Sequence, residues 1–453
     1  MLRRPAWLSL VLLAALLLTG CPQPGKGKTA YVGATLIEGT GTAAVPNAVI
    51  LVSEGHIQAV GSADEVAVPR GAEVQHLEGR WIIPGLIDGH AHAERWTLGP
   101  YLSYGVTTIR DMGGIQDSVV FLREDVRNGT VDGPRLYISG AMIDGVPPTW
   151  PSATAVRTPM DARRAVGNRV LIDATQIKAY TKLTRPLLEA LLDEAKALAT
   201  PVAAHLGKVD ALTAARLGVR SLEHMSGVVE ATLTDPAPLF AAHDDFFRGW
   251  NLEEESWARL DSAALDRTAR ALVQTGVAIV PTLVLHEAWG HLNDQAYAAS
   301  LDLSGVPQAM RDAWNVPDLI TRAGLRDQDF PALQRSRPNQ DLFVRLFQRA
   351  GGLVVAGSDS PNQLLPPGAS LHRELRLLVA AGLTPEQALL AATRDAARLL
   401  GADSIGVIKP GAVADFVVLR ADPLADIANI DQVEHVVAYG FQYDPTHLRT
   451  GGK

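Results

Sequence analysis

From Trp81 onward the chain alternates short apolar runs with longer segments of helical period. The runs "WIIPGLID", "GVTTIRD", "RLYISGA", "QIKAY", "PVAAHL", "RSLEHM", "VAIVPTLVL" and "LVVAGSD" read as eight strands. Between several of them lie stretches such as "RPLLEALLDEAKALA" and "VDALTAARLG", whose apolar residues recur every three or four positions. Strands that are apolar throughout, rather than alternating, suit a sheet covered on both faces. Eight of them with helical crossovers predict an α/β fold, a (β/α)8 TIM barrel over residues 81–401. The segment "LTPEQALLAATRDAARLLG" closes it as a helix: Thr384 caps, Pro385 takes the first helical position, Gln387 completes a capping box and Gly401 stops it.

Both ends of the chain have β texture instead. "YVGATLIEG" and "AVILVSEGHIQAVG" precede the barrel, and "GVIKPGAVADFVVLRADP" and "VEHVVAYGFQYD" follow it. They predict one small β-sandwich built from residues 30–80 and 402–445, with a tail at 446–453. Two barrel connections are long, about residues 226–274 and 287–350. Connections of that size are commonly functional lids or insertions. They carry Trp250, Trp257, Trp289 and Trp314 and the apolar stretches "PLFAAHDDFFRGW" and "DLFVRLFQRAGG", and are expected to roof the barrel mouth.

At 453 residues, 20% charged and 47% hydrophobic, the chain is globular. A net charge of −8, no basic run and no phosphate-cradling glycine loop give no sign of nucleic acid. Arg3 and Arg4 precede the apolar run "AWLSLVLLAALLL", too short for a comfortable membrane span, which ends in "LTGC". Cys21 is the only cysteine. The pattern resembles a bacterial lipoprotein signal, and that resemblance implies cleavage before Cys21, lipid attachment to its thiol and a place in the cell envelope. Residues 1–21 would then be the signal with its lipobox and 22–29 a flexible tether. Loss of Arg3 and Arg4 takes the charge from −8 to −10, so the membrane would be engaged through the lipid and not through the protein body.

The residues that carry chemistry stand at the ends of the expected strands. His90 and His92 end the first, Lys178 the fourth, His205 the fifth, His224 the sixth and Asp359 the eighth. Residues i and i+2 of a strand point to the same side, so His90 and His92 share a target. In a barrel these ends converge on one mouth, where catalytic residues of this fold sit. Four imidazoles and a carboxylate suit zinc or a similar divalent ion. A buried lysine loses its proton readily, and its amine can take up carbon dioxide to give an anionic carbamate able to bridge two ions. Tyr180 and Lys208 lie beside these residues, and His286 follows the seventh strand as a possible substrate contact. Arg110 is expected to pair with Asp111 or to touch substrate, and Arg110, Arg157 and Lys208 are the basic groups able to clamp a substrate carboxylate. His243, His291, His372 and His447 are expected at the surface.

"PGLIDGHAH", "IKAY", "AAHLG", "SLEHMSG" and "AGSDS" together resemble the amidohydrolase superfamily. "TTIRDMGG", "LTPEQALLAAT" and "GVIKPGAVADFVVL" are similar to its imidazolonepropionase-related and metal-dependent dipeptidase (prolidase-like) branch. The resemblance runs over about residues 30–445. It implies that His90, His92 and Asp359 hold a buried ion, that His205 and His224 hold a more exposed one, and that carboxylated Lys178 bridges the two. It also implies hydrolysis of a small-molecule amide or related C–N bond, with Asp359 accepting and returning a proton. Imidazolonepropionase uses one metal and has no such lysine, so Lys178 points away from that reaction. Many dipeptidases of the branch carry a glycine-rich segment with a histidine after the third strand, whereas here "SGAMIDGVPPTWPSATAV" has none. Cyclic amides or lactones stay open as substrates. A lipid-anchored binding protein on a dead scaffold is the alternative from another class, and the complete set of six ligands speaks against it.

Overall fold

The computed structural model describes residues 25–449. The lipobox Cys21 and the signal segment lie outside the described residues, as does the end of the tail. No helix among the described residues is long and apolar enough to cross a membrane.

The barrel is built on β6 (Leu86–Ala91), β7 (Val106–Asp111), β8 (Arg135–Ile138), β9 (Ile143–Asp144), β10 (Thr154–Ala155), β11 (Ile177–Ala179), β12 (Val202–Ala204), β13 (Ser221–Glu223) and β14 (Ala278–Val280). β6, β7 and β8 pair in parallel, as do β9, β11, β12, β13 and β14, with the short β10 added beside β9. Thr175 N donates to Ile138 O at 2.9 Å and so joins the two groups. The eighth segment, around residues 354–360, bridges β14 at Val354 and β6 at Ser360. Gly89 N donating to Ala356 O and Asp359 N to His90 O complete the ring. Every residue of β6, β7, β11, β12, β13 and β14 is buried. That is why these strands read as unbroken apolar runs.

The chain ends form one sheet of β1 (Lys28–Leu36), β2 (Val45–Ser53), β3 (His56–Ser62), β4 (Glu73–His76), β5 (Trp81–Pro84), β15 (Phe416–Leu419), β16 (Val433–Ala438) and β17 (Phe441–Tyr443). Its order, β17-β16-β15-β5-β1-β2-β3, threads the late strands through β5 onto the early ones. Ile57 N donates to Ala412 O and Ala414 N to Gly55 O, so the sheet folds over and its ends meet around Tyr31, Ile50, Ile82, Phe416 and Val418. The intervening Val417 and Leu419 face the barrel core, the period-2 alternation of a strand between two apolar bodies. Arg135 bonds Asp415 at 2.8 Å and stacks over Tyr439, fastening the sheet to the foot of β8.

Three expected elements divide differently. "WIIPGLID" is two strands, β5 in the small sheet and β6 in the barrel, parted at Gly85; a Cβ there would lie 2.2 Å from Thr107 Oγ1. "VAIVPTLVL" is a strand only to Val280. Pro281 interrupts the ladder, Thr282 turns at φ 47°, and a helix runs from Leu283 to Gly290. The closing helix keeps its Thr384–Gln387 capping box and its left-handed Gly401 but breaks between Ala391 and Arg394.

Candidate metal centre

His90, His92, Lys178, His205, His224 and Asp359 all line one cavity at the barrel mouth. Ring centroids of His90 and His224 are 4.4 Å apart, those of His205 and His224 4.8 Å and those of His90 and His92 5.7 Å. Asp359 Oδ1 sits 3.1 Å from both His90 Nε2 and His92 Nε2, and its Oδ2 accepts from Asn362 Nδ2 at 2.8 Å. Ligand atoms of His90, His224 and Asp359 lie within 4.8 Å of one another.

The imidazoles are oriented from behind. His90 Nδ1 meets Glu223 Oε2 at 2.6 Å, His92 Nδ1 meets the Gly113 carbonyl at 2.6 Å and His224 Nδ1 meets Thr282 Oγ1 at 2.7 Å. A ring whose Nδ1–H is held by a carboxylate or carbonyl presents a bare Nε2, as a metal ligand must. Glu223 is held in turn by Arg110 at 3.0 Å and by Ser221 Oγ at 2.6 Å. Burial would raise the Glu223 carboxyl, but the Arg110 guanidinium and the His90 hydrogen bond outweigh it and keep it anionic. At the foot of the site Asp88 accepts from Ser358 N and Oγ and from His90 N, locking β6 to the eighth strand. His224, Thr282 and Asp359 all have positive φ, 58°, 47° and 57°. For side-chain-bearing residues that conformation costs on the order of 1–2 kcal/mol each; here it turns His224 and Asp359 off the strand ends into the mouth and sets the Thr282 hydroxyl behind the His224 ring.

The donor set fits a divalent metal centre. Among the described residues, Lys178 Nζ and His205 Nε2 are buried without a hydrogen-bond partner, an expensive state unless a ligand answers them. Burial lowers the Lys178 amine to about 8, against the opposing pull of Glu223 and Asp359. Burial first, then the charge of Lys178, holds His205 well below its ordinary range; His224 is depressed the same way by burial and by His90. Burial would raise Asp359, yet His224 and the close approach of the His90 and His92 rings carry it well below the carboxylate range. Neutral imidazoles at His205 and His224 and an anionic Asp359 are ligand forms, and the lowered Lys178 amine gives up its proton more readily than a free lysine.

Residues 81–441 match the family model described as the amidohydrolase family. The chain belongs to the amidohydrolase family. This amidohydrolase is a metal-dependent hydrolase of amide or related C–N bonds. The imidazolonepropionase of Pseudomonas putida strain GB-1 is 26% identical over 429 residues, 87% of this chain and 92% of that protein. Among solved structures, a bottromycin amidohydrolase superposes with a TM-score of 0.71 at 24% identity, over 96% of this chain and 92% of that one. A Xaa-Pro dipeptidase with bound methionine gives 0.68 at 19% identity, over 92% and 100%.

Several expectations about neighbouring residues are corrected. Arg110 neither pairs with Asp111 nor reaches the cavity; adjacent strand residues face opposite ways, and Arg110 points inward to Glu223. Asp111 accepts from Ala93 N and Gly113 N. His286 is not at a strand end but on the Leu283–Gly290 helix, where it bonds Glu254 at 2.8 Å behind the Trp250 ring and lines no part of the cavity. Lys208 bonds Asp244 and the Phe240 carbonyl, and Arg157 is exposed away from the mouth. His243 and His372 are buried, not superficial. Tyr180 does face the cavity, its hydroxyl accepting from Trp150 Nε1 at 2.9 Å.

The cavity holds about 880 Å³, near the upper end of the roughly 300–1,000 Å³ typical of small-molecule sites. Trp150, Phe246, Phe247, Trp250 and Trp289 wall it, with Phe121 and Leu122 on the other side. Trp257 and Trp314 do not line it, and "DLFVRLFQRAGG" buries Phe343 and Phe347 in the core instead. The basic groups at the rim are Arg95 and Arg322, paired with Asp125 and Asp318.

Glu223 supports the centre only through His90, so Glu223→Gln should leave the fold intact and weaken metal binding about 10- to 100-fold. Competition with a chelator, read as metal retained per chain, measures it; unchanged retention would mean that Glu223 only braces the barrel.

Proposed function

We propose that this amidohydrolase works with two divalent ions, zinc by its donor set, held by His90, His92 and Asp359 on one side and His205 and His224 on the other, with a carbamate on Lys178 between them. The observation that carries this reading is Lys178, whose buried amine has no partner of its own inside a ring of ligand atoms. When bound, such ions act as Lewis acids toward a carbonyl and favour deprotonation of water. The chain's residues supply the rest. The aromatic wall positions the substrate and excludes solvent. Asp359, anionic and aimed at the centre, accepts the proton that the attacking water gives up and returns it to the leaving nitrogen as the C–N bond breaks. Attachment to the cell envelope through lipidated Cys21, with the body held off by its tether, belongs to the same proposal and is supported by the "LTGC" signal.

The reading favours amides that carry an aryl or sizeable apolar group. Burying such a group against Trp150, Phe246 and Trp250 contributes roughly 25 cal/mol per Å². Neither rim arginine is free to clamp a carboxylate without leaving its own acidic partner.

Three outcomes test these points. Lys178→Ala should shed ions from this centre relative to wild type, by as many as two per chain in elemental analysis, and lose activity with them; full retention would rule out a bridging carbamate. Asp359→Asn should lower turnover by about 10²- to 10⁴-fold, and a fully metallated variant with wild-type turnover would remove the proton-transfer role. Across matched amides, kcat/KM should be higher for aryl-bearing N-acyl substrates than for small charged dipeptides. A tenfold preference for the dipeptides, about 1.4 kcal/mol, would overturn the substrate assignment.

A further inference from the structure

A second set of buried donors has no part in that chemistry. Glu230 and Glu253 lie on the helices Val228–Thr232 and Phe246–Trp257, and His243 caps the C-terminus of Ala237–Ala242 between them, in the insertion after β13. Their exposures are 2%, 1% and 1%. His243 Nε2 lies 3.3 Å from Glu230 Oε1 and 3.8 Å from Glu253 Oε2. Glu253 Oε1 accepts from Gly227 N at 2.9 Å, while Glu230 Oε2 and Glu253 Oε2 are buried with no hydrogen-bond partner.

The spacing is informative because two other buried His–Glu pairs stand nearby. His90–Glu223 closes to 2.6 Å and His286–Glu254 to 2.8 Å, the lengths of charge-assisted hydrogen bonds. His243 stands off both of its carboxylates. Ligands at about 2.0–2.2 Å from a tetrahedral ion are separated by roughly 3.3–3.6 Å; the 3.3 Å His243–Glu230 spacing falls there and is a long hydrogen bond, and the 3.8 Å spacing to Glu253 lies just beyond, so both carboxylates stand near the distances an ion between them would set. The ring is held there by two glycines: a Cβ on Gly249 would come within 2.3 Å of Nδ1, and one on Gly207 within 3.0 Å. Nδ1 has no partner under either account and does not discriminate between them. Two carboxylates side by side in the interior, with Glu254 close, cannot both stay ionised unaided; burial, then Glu230 and Glu254, push Glu253 well above the usual carboxylate range, so without a cation it keeps a proton. One divalent cation with two carboxylates and a neutral imidazole is electrically balanced.

We propose that Glu230, His243 and Glu253 form a further divalent-cation site, structural in role and suited to zinc or a similar transition ion. It ties the helix that bears Phe246, Phe247 and Trp250 to Gly227, three residues beyond His224, and so stiffens one wall of the cavity. The site stands independently of the hydrolytic reading.

The test is anomalous diffraction from crystals of the purified protein soaked in zinc alone. A peak within about 2.0–2.2 Å of His243 Nε2 and of oxygens of both glutamates is expected. No peak there overturns the site, whether or not the Lys178 centre is filled. A peak there with none at Lys178 upholds the site and sinks the two-ion reading of the mouth. In solution, Glu230→Gln should lower metal content by one ion per chain relative to wild type and lower the melting temperature. The competing account, a proton shared by the two carboxylates, requires unchanged metal content and an equal or higher melting temperature, because Gln removes a buried like charge. Should the variant fail to fold, the diffraction result on the wild-type protein still decides.

Discussion

A lysine amine buried at the mouth of a barrel with nothing to accept its protons is the constraint around which this site is organised. An ammonium in that position would lose the hydration that water gives it, and Lys178 has no hydrogen bond to replace it. The amine is therefore most stable either neutral or converted to something that binds its surroundings. Those surroundings are imidazole nitrogens and the Asp359 carboxylate, all of which favour a cation at their centre and not beside it. Burial depresses Lys178, His205 and His224 together, because each charged form would lose its hydration there.

Holding such a set in place falls to a layer of residues beneath it. Arg110 neutralises Glu223, Glu223 fixes the His90 ring, and Asp88 joins β6 to the eighth strand through Ser358. None of these reaches the cavity, and all are buried on or between strands. Strands provide what a metal centre needs, because a ladder on both sides leaves the backbone little freedom. The positive φ values at His224, Thr282 and Asp359 fall just past the strand ends, where the ladders anchor the chain and hydrogen bonds such as His224 N to Val280 O and Asp359 N to His90 O hold the turn.

Most of this centre was legible in the sequence because the ligands interrupt apolar runs: an isolated histidine or aspartate closing a strand of Val, Ile and Ala stands out. Glu223 does not stand out in the same way, since in "SLEHM" it sits one residue before a conspicuous histidine and reads as an ordinary polar strand end. Its buried position on β13 was the signal available. The place of His286 turns on one element boundary. Pro281 ends β14 and the helix that follows carries His286 round behind Trp250, whereas a strand continued to Leu285 would have delivered it to the mouth. Gly85 had the same effect at the other end, dividing one apolar run between two sheets.

The insertions resisted sequence reading because their contacts depend on tertiary packing. His243 lies in "AAHDDFF", a polar context that argues for the surface, yet three short helices close over it and bring Glu230 and Glu253 to its ring. Helical period predicts which face of each helix is apolar; it does not say which carboxylate from a neighbouring helix will meet it. The aromatic wall shows the same limit. Trp150 joins Phe246 and Trp250 although it comes from the short segment after β9, while Trp257 and Trp314, from the long insertions, line no part of the cavity. Chemistry is thus fixed by strand ends that the chain announces locally, and the wall that selects among substrates is assembled from helices whose arrangement only the folded protein reveals. The two can then change at different rates. A substitution at Phe246 or Trp289 alters what fits without disturbing the hydrogen bonds that aim His90 or His224, whereas a change at Glu223 or Arg110 reaches the ligand set and leaves the wall as it was.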